Sequence, residues 1–173
     1  MITPKFVIYT DGACTPNPGV GGWAAILQYT NAHGKVLSKQ ISGSVRYTTN
    51  NHMEIMAVLA ALRKLRYASD VTIYSDSSYV VRAIGDWNGG KPVRTHRGWM
   101  VKWQQHGWHR SASNKKLMHK DLWQELYYLA SLQSSVTMRW IRGHSGNKFN
   151  ELCDALAVEA RIKAANGILE AGT

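Results

Sequence analysis

The chain has 173 residues, 45% of them hydrophobic, and this length and composition predict one compact domain with a substantial core. Its 21 Lys and Arg residues outnumber 11 Asp and Glu, so the formal net charge of +10 favours a polyanionic partner, chiefly nucleic acid. It has no apolar run of roughly 20 residues and no signal-peptide pattern, which excludes a membrane-spanning protein and predicts a cytoplasmic one. Its two cysteines, Cys14 and Cys153, are too few for the disulfide framework of a small secreted domain, and two reduced thiols are expected.

Apolar segments of strand or helix character alternate with Gly-, Pro- and Asn-rich turns along the chain. They predict strands over 5–10, 22–29 and 35–44, a helix over 51–66, a strand over 71–75, helices over 77–84 and 120–132, a strand over 136–141 and a helix over 150–165. Asn50 or Asn51 is the expected N-cap of the first long helix. The order predicts one mixed α/β domain over 1–165: a five-stranded sheet with three antiparallel leading strands and helices on both faces. Residues 166–173 are predicted to form a frayed tail.

Four acidic side chains stand in apolar surroundings, where a charge is costly to bury. Asp11 and Asp76 follow the first and fourth predicted strands, and Glu54 and Asp154 lie near the starts of predicted helices. Singly, each has an ordinary explanation as a turn residue, helix cap or ion-pair partner. Jointly they predict a cluster at one sheet edge, where two carboxylates about 4 Å apart repel by roughly 4 kcal/mol at an effective dielectric of 20. Such a cluster requires shifted pKa values or bound cations. All-oxygen ligands favour Mg²⁺, with Mn²⁺ as the alternative, and a basic protein that holds these ions suits phosphodiester chemistry.

Four segments, TDGACTPNPGVGGWAAIL, TTNNHMEIMAVLAAL, YSDSSYVV and GHSGNKFNELCDALA, occur in this order between residues 5 and 160. In sequence and spacing they resemble the signature segments of the ribonuclease HI family, which implies a ribonuclease H-like fold. The metal-binding acids that the resemblance implies are Asp11, Glu54, Asp76 and Asp154. His144 matches the family's catalytic histidine, which shuttles protons or helps to release product.

The resemblance also implies a reaction, the hydrolysis of the RNA strand of an RNA–DNA hybrid with two divalent ions, leaving 5′-phosphate and 3′-hydroxyl ends. Such an enzyme must contact a 2′-hydroxyl, which distinguishes RNA from DNA at the cut. In the family this contact comes from the first loop and from side chains that match Asn17, Asn50 and Glu54, whereas Thr49 matches a residue that holds a DNA phosphate. Without the resemblance, Asn17 and Asn50 are ordinary turn and cap residues. The substrate-binding residues implied here are Cys14, Asn17, Thr49, Asn50 and Asn51.

Residues 87–120 contain eight Lys or Arg, four His and four Trp but no acid. This composition is typical of a groove that holds phosphates by charge and bases by stacking, and the alternative is a solvated basic face over a tryptophan-anchored core. The resembled family has a basic protrusion here, which Trp99, Trp103, Gly107 and Trp108 match. This chain departs from it by an apparent insertion over 87–98 and by Gln104-Gln105-His106 in place of consecutive cations. The binding residues predicted in the segment are Lys91, Arg94, Arg97, Trp103 and Trp108.

Three other classes of function fit the sequence less well than hybrid cleavage. An integrase, transposase or junction resolvase also gathers acids on such a sheet but lacks the NPG loop, the TNN helix start and GHSG together. A catalytically silent hybrid-binding module would have lost one of the four acids, and all are present. A sugar-kinase-like ATPase would need a second lobe, for which the chain is too short. The sequence gives no sign of oligomerisation, so a monomer is expected.

Overall fold

The computed structural model describes residues 2–113 and 115–171. The strands are β1 (Lys5–Cys14), β2 (Gly19–Thr30), β3 (Val36–Thr48), β4 (Asp70–Ser75), β5 (Gly85–Asn88), β6 (Lys91–Arg97) and β7 (Ser135–Trp140). The helices are α1 (Asn50–Arg63), α2 (Ser78–Ile84), α3 (Trp99–Gln105), α4 (Lys120–Ser131) and α5 (Lys148–Ala171). The strands form one mixed sheet in the order β3-β2-β1-β4-β7-β5-β6, and the antiparallel β1-β2-β3 meander agrees with the prediction. Among the described residues, no helix is long and apolar enough to span a bilayer.

The sheet has seven strands, so the prediction of five was wrong. The two additional strands, β5 and β6, form a hairpin in the segment interpreted as an irregular insertion. Its turn residues Gly89 and Gly90 both have positive φ, which a two-residue hairpin turn of this type requires. Trp87 anchors the hairpin, because its ring is 2% exposed and its Nε1 donates to the Ile84 carbonyl at 3.1 Å. Gly-Gly between two short runs was therefore a hairpin signal that the sequence contained.

Helices cover both faces of the sheet, as the sequence predicted. The larger core cluster joins α1, α2, α3 and α4 to one face and is built around side chains such as Ile55, Ile73 and Trp123. The smaller one lies beneath α5 on the other face; its buried members are Ala24, Ile26, Cys153 and Ala157. The element that carries Asp154 is thus held by a much smaller apolar cluster than the elements that carry the other three acids.

The long helix α5 differs from its predicted extent, because it continues to Ala171 instead of ending at residue 165. Residues 166–171, assigned to a frayed tail, are helical, and residues 172–173 lie outside the described part of the chain. The helix passes through Gly167, which costs only about 1 kcal/mol relative to alanine. A single interior glycine is therefore too weak a signal to end this helix.

A close approach at Gly22 sets the position of α5 on the sheet. A Cβ there would overlap the Ala157 carbonyl oxygen and lie 2.6 Å from the Arg161 backbone nitrogen, so the helix backbone would have to move. We expect Gly22→Ala to lower the free energy of unfolding by about 1–3 kcal/mol. Gly167→Ala is the matched control, since nothing lies near that position and a helical alanine should stabilise by up to about 1 kcal/mol. Urea denaturation measures both; an unchanged midpoint for Gly22→Ala would contradict the close approach.

Candidate active site

Asp11, Glu54 and Asp76 converge at one edge of the sheet, where one carboxylate oxygen of each lies within 4.8 Å of the other two. The register of the parallel pair β1–β4 explains part of this convergence. Its last partners are Thr10 and Ser75, so Asp11 and Asp76 are the next residues along both strands. Their juxtaposition follows from the strand-end positions that the sequence predicted.

The prediction that β1 ends before Asp11 was wrong. Pairing with the longer strand β2 continues from Asp11, opposite Ala24, to Cys14, opposite Gly21. The parallel partner β4 stops earlier, at Ser75, so Asp11 lies inside one ladder and just beyond the other. Asp11 is therefore fixed by regular strand geometry and is only 3% exposed.

Gly12 allows α1 to bring Glu54 to the site. A Cβ at Gly12 would lie 2.7 Å from the Glu54 backbone nitrogen and 2.8 Å from Met53 Cβ. Only a residue without a side chain permits this approach of a helix backbone to a strand. Gly12 is therefore a spacer between the strand that carries Asp11 and the helix that carries Glu54, a role that its neighbours in the sequence do not indicate.

Asp76 is held by Trp140 and Gly143, two residues outside the predicted site. Trp140, the last residue of β7, donates its indole N–H to the Asp76 carbonyl at 3.0 Å. Gly143 passes so close that a Cβ there would lie 2.7 Å from Asp76 Oδ2. Gly143 is the first residue of the GHSG segment, and its contact with Asp76 gives this glycine a structural role that the motif alone did not indicate.

Burial and mutual repulsion raise the pKa values of the three acids. Burial first, and then Asp76, raise the pKa of Asp11 to about 7, although the Gly12 N–H donates to Asp11 Oδ1 at 2.8 Å and opposes the rise. Burial, followed by repulsion from Asp11 and Asp76, raises the pKa of Glu54 well above its usual value. Burial and then Asp154 raise the pKa of Asp76, while His144 lowers it. The cluster thus resists full ionisation unless positive charge is added.

The donor set fits a hard divalent cation. Glu54 Oε2 is buried and has no hydrogen-bond partner among the described residues. An unsatisfied buried polar group costs about 1–3 kcal/mol, and more if it is charged, so this oxygen calls for a ligand. The three converging side chains offer only carboxylate oxygens, which Mg²⁺ and Mn²⁺ prefer over softer metals.

Asp154 and His144 lie at the rim of the site. Asp154, on α5, is not among the acids joined within 4.8 Å, but its charge contributes to the raised pKa values of Asp11 and Asp76. His144 is exposed on the loop between β7 and α5, has a positive φ of 53°, and lies near enough to lower the pKa of Asp76. Beneath them, burial raises the pKa of the Cys153 thiol far above its usual value, so it remains protonated.

The predicted substrate loop is tied to the start of α1. Asn17 Oδ1 accepts from the Asn50 backbone N–H at 3.2 Å. Thr49, not Asn50 or Asn51, is the N-cap of α1, and its hydroxyl accepts from the His52 N–H at 3.2 Å. The predicted cap was wrong by one or two residues because Thr and Asn have similar capping preference. Asn51 is exposed at the same helix start.

The Cys14 thiol is buried, so only the backbone of Cys14 is available for the substrate contact predicted at this position. The residue is 4% exposed, and its thiol donates to the Thr48 carbonyl at 3.3 Å. Only the backbone at this position lies along the loop. Cys14 therefore supports the loop from below instead of lining its surface.

The tryptophans of the basic segment mostly serve packing, as the alternative interpretation held. Trp103 is 9% exposed and meets Trp123 edge-on with ring centroids 5.2 Å apart, so it offers no open face and its predicted stacking role was wrong. Trp108 is half-buried against Tyr127. Trp99, which was not predicted to bind, is 38% exposed. Apolar spacing did not distinguish Trp99 from Trp103, because both follow the amphipathic pattern of a short helix.

The predicted basic residues Lys91, Arg94 and Arg97 are all exposed on β6. β6 is the outermost strand on its side of the sheet and is separated from β4 by β7 and β5. These cations therefore do not contact the acid cluster, and their binding role stays a prediction about a flanking surface.

A mixed α/β domain whose carboxylates converge beside central parallel strands is typical of one class of protein, the metal-dependent phosphodiester hydrolases. The sequence profile of the RNase H family matches residues 3–162. A protein named Ribonuclease H from Francisella philomiragia subsp. philomiragia is 43% identical over 154 residues, which cover 89% of each chain. Another of that name, from Syntrophus aciditrophicus, is 44% identical over 160 residues, 92% of this chain and 82% of the relative.

Solved structures agree with these relatives. The crystal structure of LC9-RNase H1, described as a type 1 RNase H with the type 2 active-site motif, matches with a TM-score of 0.78 and 28% identity, over 95% of this chain and 75% of that one. LC11-RNase H1 in complex with an RNA/DNA hybrid shares the fold with a TM-score of 0.62 and 23% identity, over 92% of this chain and 99% of that one. The chain belongs to the RNase H family. It is accordingly an enzyme, an endoribonuclease of the hydrolase class.

Proposed function

We propose that the chain cleaves the RNA strand of RNA–DNA hybrids by two-metal-ion hydrolysis and leaves 5′-phosphate and 3′-hydroxyl ends. The observation that carries the proposal is the convergence of Asp11, Glu54 and Asp76 within 4.8 Å around an unpartnered carboxylate oxygen. The hybrid bound to the family member LC11-RNase H1 supports the choice of substrate.

The four acids together would hold two divalent ions, Mg²⁺ or, as the alternative, Mn²⁺. Asp11, Glu54 and Asp76 supply the converging oxygens, and Asp154 adds charge at the rim. When bound, such ions supply a water of lowered pKa and positive charge for the leaving 3′-oxygen. The protein contributes rigidity, because the strand ladder, the Gly12 contact and the Trp140 hydrogen bond fix the carboxylates before substrate arrives.

The start of α1 is the proposed reader of the RNA strand. Asn17 and Asn50, joined by a hydrogen bond, lie on the loop and helix next to Glu54, and we assign the 2′-hydroxyl contact to these three. Thr49 is assigned to a DNA-strand phosphate, because an N-cap residue lies where backbone N–H groups face an anion. The further contacts proposed are the backbone of Cys14 and the side chains of Asn51, Lys91, Arg94, Arg97 and Trp108.

Incubation with labelled substrates tests the proposed function. We expect cleavage of an RNA–DNA hybrid with Mg²⁺, no cleavage of duplex DNA, and no cleavage of any substrate with EDTA. Duplex RNA should resist, because the enzyme must also read a DNA strand. Hybrid cleavage that persists in EDTA would contradict the role of the acid cluster, and equal cleavage of duplex DNA would contradict the 2′-hydroxyl contact.

His144 is the proposed proton carrier at the leaving oxygen and an aid to product release. Its ring is exposed on a loop beside Asp76, where it can approach and leave the reacting groups. We expect His144→Ala to lower kcat about 10- to 100-fold without eliminating turnover. The matched control is His33→Ala, an exposed histidine in the β2–β3 turn, which should keep the wild-type rate. A wild-type kcat for His144→Ala at saturating hybrid and Mg²⁺ would remove this residue from the mechanism.

We further propose a monomer in the cytoplasm. All the converging acids come from one chain, so the site is complete without a partner subunit. Both cysteines are buried and free, which suits a reducing compartment.

A further inference from the structure

A recess of about 260 Å³ lies where the β5–β6 hairpin meets α2 and α3, apart from the acid cluster. Three of its lining side chains are basic and exposed, namely Arg82 on α2 and His96 and Arg97 on β6. Trp99 forms one wall, and the same indole lines a neighbouring recess beside Tyr79. The basic recess, defined here as the cavity between Arg82, His96 and Arg97, therefore shares the Trp99 wall with the recess beside Tyr79, which is three residues from Asp76 in the chain.

An irregular stretch of β6 brings these cations to the recess. β6 advances five residues from Pro92 to Arg97 while β5 advances two from Trp87 to Gly85, so the additional residues bulge out of the ladder. At the base of the hairpin, a Cβ on Gly85 would overlap the backbone nitrogen of Gly98, so the two ends of the hairpin are in contact. The recess is thus built on a fixed base, which lowers the entropic cost of binding.

The charge of the recess favours an anion. Its acidic lining residue, Asp86, is already engaged: one carboxylate oxygen accepts from the Met138 N–H at 2.8 Å and the other lies 3.4 Å from Arg139 Nη1. The Asp86 side chain is only 14% exposed. Arg82 and Arg97 form no ion pair with any described residue. Two unpaired guanidinium groups that face one recess match the geometry of a phosphate, which they can contact through paired N–H donors.

The position of the recess agrees with a duplex that also occupies the acid cluster. Asp76 lies two residues before α2 begins at Ser78, and Arg82 lies four residues further along the helix, an axial rise of about 6 Å from its start. A duplex presents one phosphate per strand about every 3.4 Å of its axis, so the recess lies a few base pairs from the cleaved bond. Lys91 is farther away, because its partner Asn88 pairs with Ser135 at the opposite end of β7.

We propose that Arg82, His96 and Arg97 form a subsite for one backbone phosphate of the bound hybrid, outside the cleavage site. The inference rests on the proposed function, since it presumes that a hybrid occupies the acid cluster. The hairpin insertion would then contact one particular phosphate of the hybrid, in addition to contributing positive charge to the surface.

The test compares two charge-matched double variants in steady-state cleavage of a hybrid of about 20 base pairs. We expect Arg82→Gln with Arg97→Gln to raise KM about tenfold at about 0.1 M salt and to leave kcat within twofold, because only binding common to ground and transition states is lost. The salt dependence of log KM should fall by about one unit of slope, as the loss of one phosphate contact requires. Lys35→Gln with Lys39→Gln removes the same charge at the opposite edge of the sheet and should change KM by less than about twofold.

Other arms keep the proposal falsifiable. Arg82→Lys with Arg97→Lys keeps the charge but removes the forked donors, so its KM should lie between those of wild type and the glutamine pair. This comparison stays informative if the glutamine pair folds poorly. With hybrids shortened stepwise, variant and wild type should converge once the duplex no longer reaches the recess. Equal KM effects for the two glutamine pairs, or a difference at every hybrid length, would overturn the subsite. Failure of the proposed function would be detected separately, because the wild-type protein would then cut no hybrid, and this assay comes before any variant is compared.

Discussion

Asp11→Asn should lower the cleavage rate by about 10³-fold or more while the Kd for the hybrid stays within a few-fold of wild type. The amide keeps the size of the side chain but removes a charge from a triad whose oxygens lie within 4.8 Å of one another. A thousandfold loss corresponds to about 4 kcal/mol of transition-state stabilisation, the several kcal/mol expected of metal-ion catalysis. Asp76→Asn should behave in the same way, because that carboxylate completes the same triad.

Asp121→Asn is the matched control for this loss. Asp121 is exposed in the first turn of α4, is not one of the converging acids and does not perturb their pKa values, so its replacement should leave the rate within twofold. Single-turnover cleavage with saturating Mg²⁺ gives the rates, and fluorescence anisotropy gives the Kd. Mg²⁺-dependent turnover at the wild-type rate in both Asp11→Asn and Asp76→Asn would refute the assignment of the site.

The same acids should make the metal-free protein less stable as the pH rises. The pKa of Asp11 is about 7 in the folded chain against a model-compound value of 3.8, so between these values the folded state binds a proton that the unfolded state has released. The free energy of unfolding therefore falls as the pH rises through this window, by up to about 4 kcal/mol for a three-unit difference in pKa. Above pH 7 the loss is complete, and Mg²⁺ should restore stability there because it binds the folded state alone.

The comparison of wild type with Asp11→Asn isolates this effect from other titrating groups. In EDTA at pH 8 we expect the variant to unfold at higher urea concentration than wild type, and the difference to shrink as the pH falls towards 4. Added Mg²⁺ should stabilise wild type more than the variant. Asp121→Asn serves again as the control and should follow wild type at each pH. A metal-free wild type that gains stability relative to Asp11→Asn between pH 5 and 8 would contradict the repulsion among the acids.

The convergence of the acids could be predicted from the sequence because it follows from cost and register. A carboxylate such as Glu54 within an apolar helix is too expensive to bury without a reason, and strand ends mark the sheet edge where Asp11 and Asp76 had to meet. The motifs gave the same residues independently. The strand and helix order was likewise recoverable, since the apolar periodicity of the central elements is strong.

Close approaches between distant segments could not be predicted in the same way. Gly12 is required by its contact with α1, and Gly143 by its contact with Asp76. The residues next to each glycine in the sequence give no indication of these contacts. The core position of Trp103 and the exposed one of Trp99 depend on how a seven-residue helix packs, which a symmetrical apolar pattern leaves open. The β5–β6 hairpin could have been predicted, because Gly89-Gly90 is a typical hairpin turn. It was not predicted because the segments on either side of the turn lack the apolar pattern of a strand.

The division of the carboxylates between two unequal packing units has a consequence for local unfolding. Asp11, Glu54 and Asp76 belong to elements of the larger core cluster, whereas Asp154 is carried by α5. Among the described side chains, the buried members of the cluster beneath α5 are Ala24 and Ile26 of β2 and the helix's own Cys153 and Ala157. Segments with little buried apolar contact open most readily in native-state hydrogen exchange. Amides of α5 should therefore exchange before those of β1 and β4. In that partly open state the carboxylates of Asp11, Glu54 and Asp76 would stay together, whereas Asp154 would move away with α5.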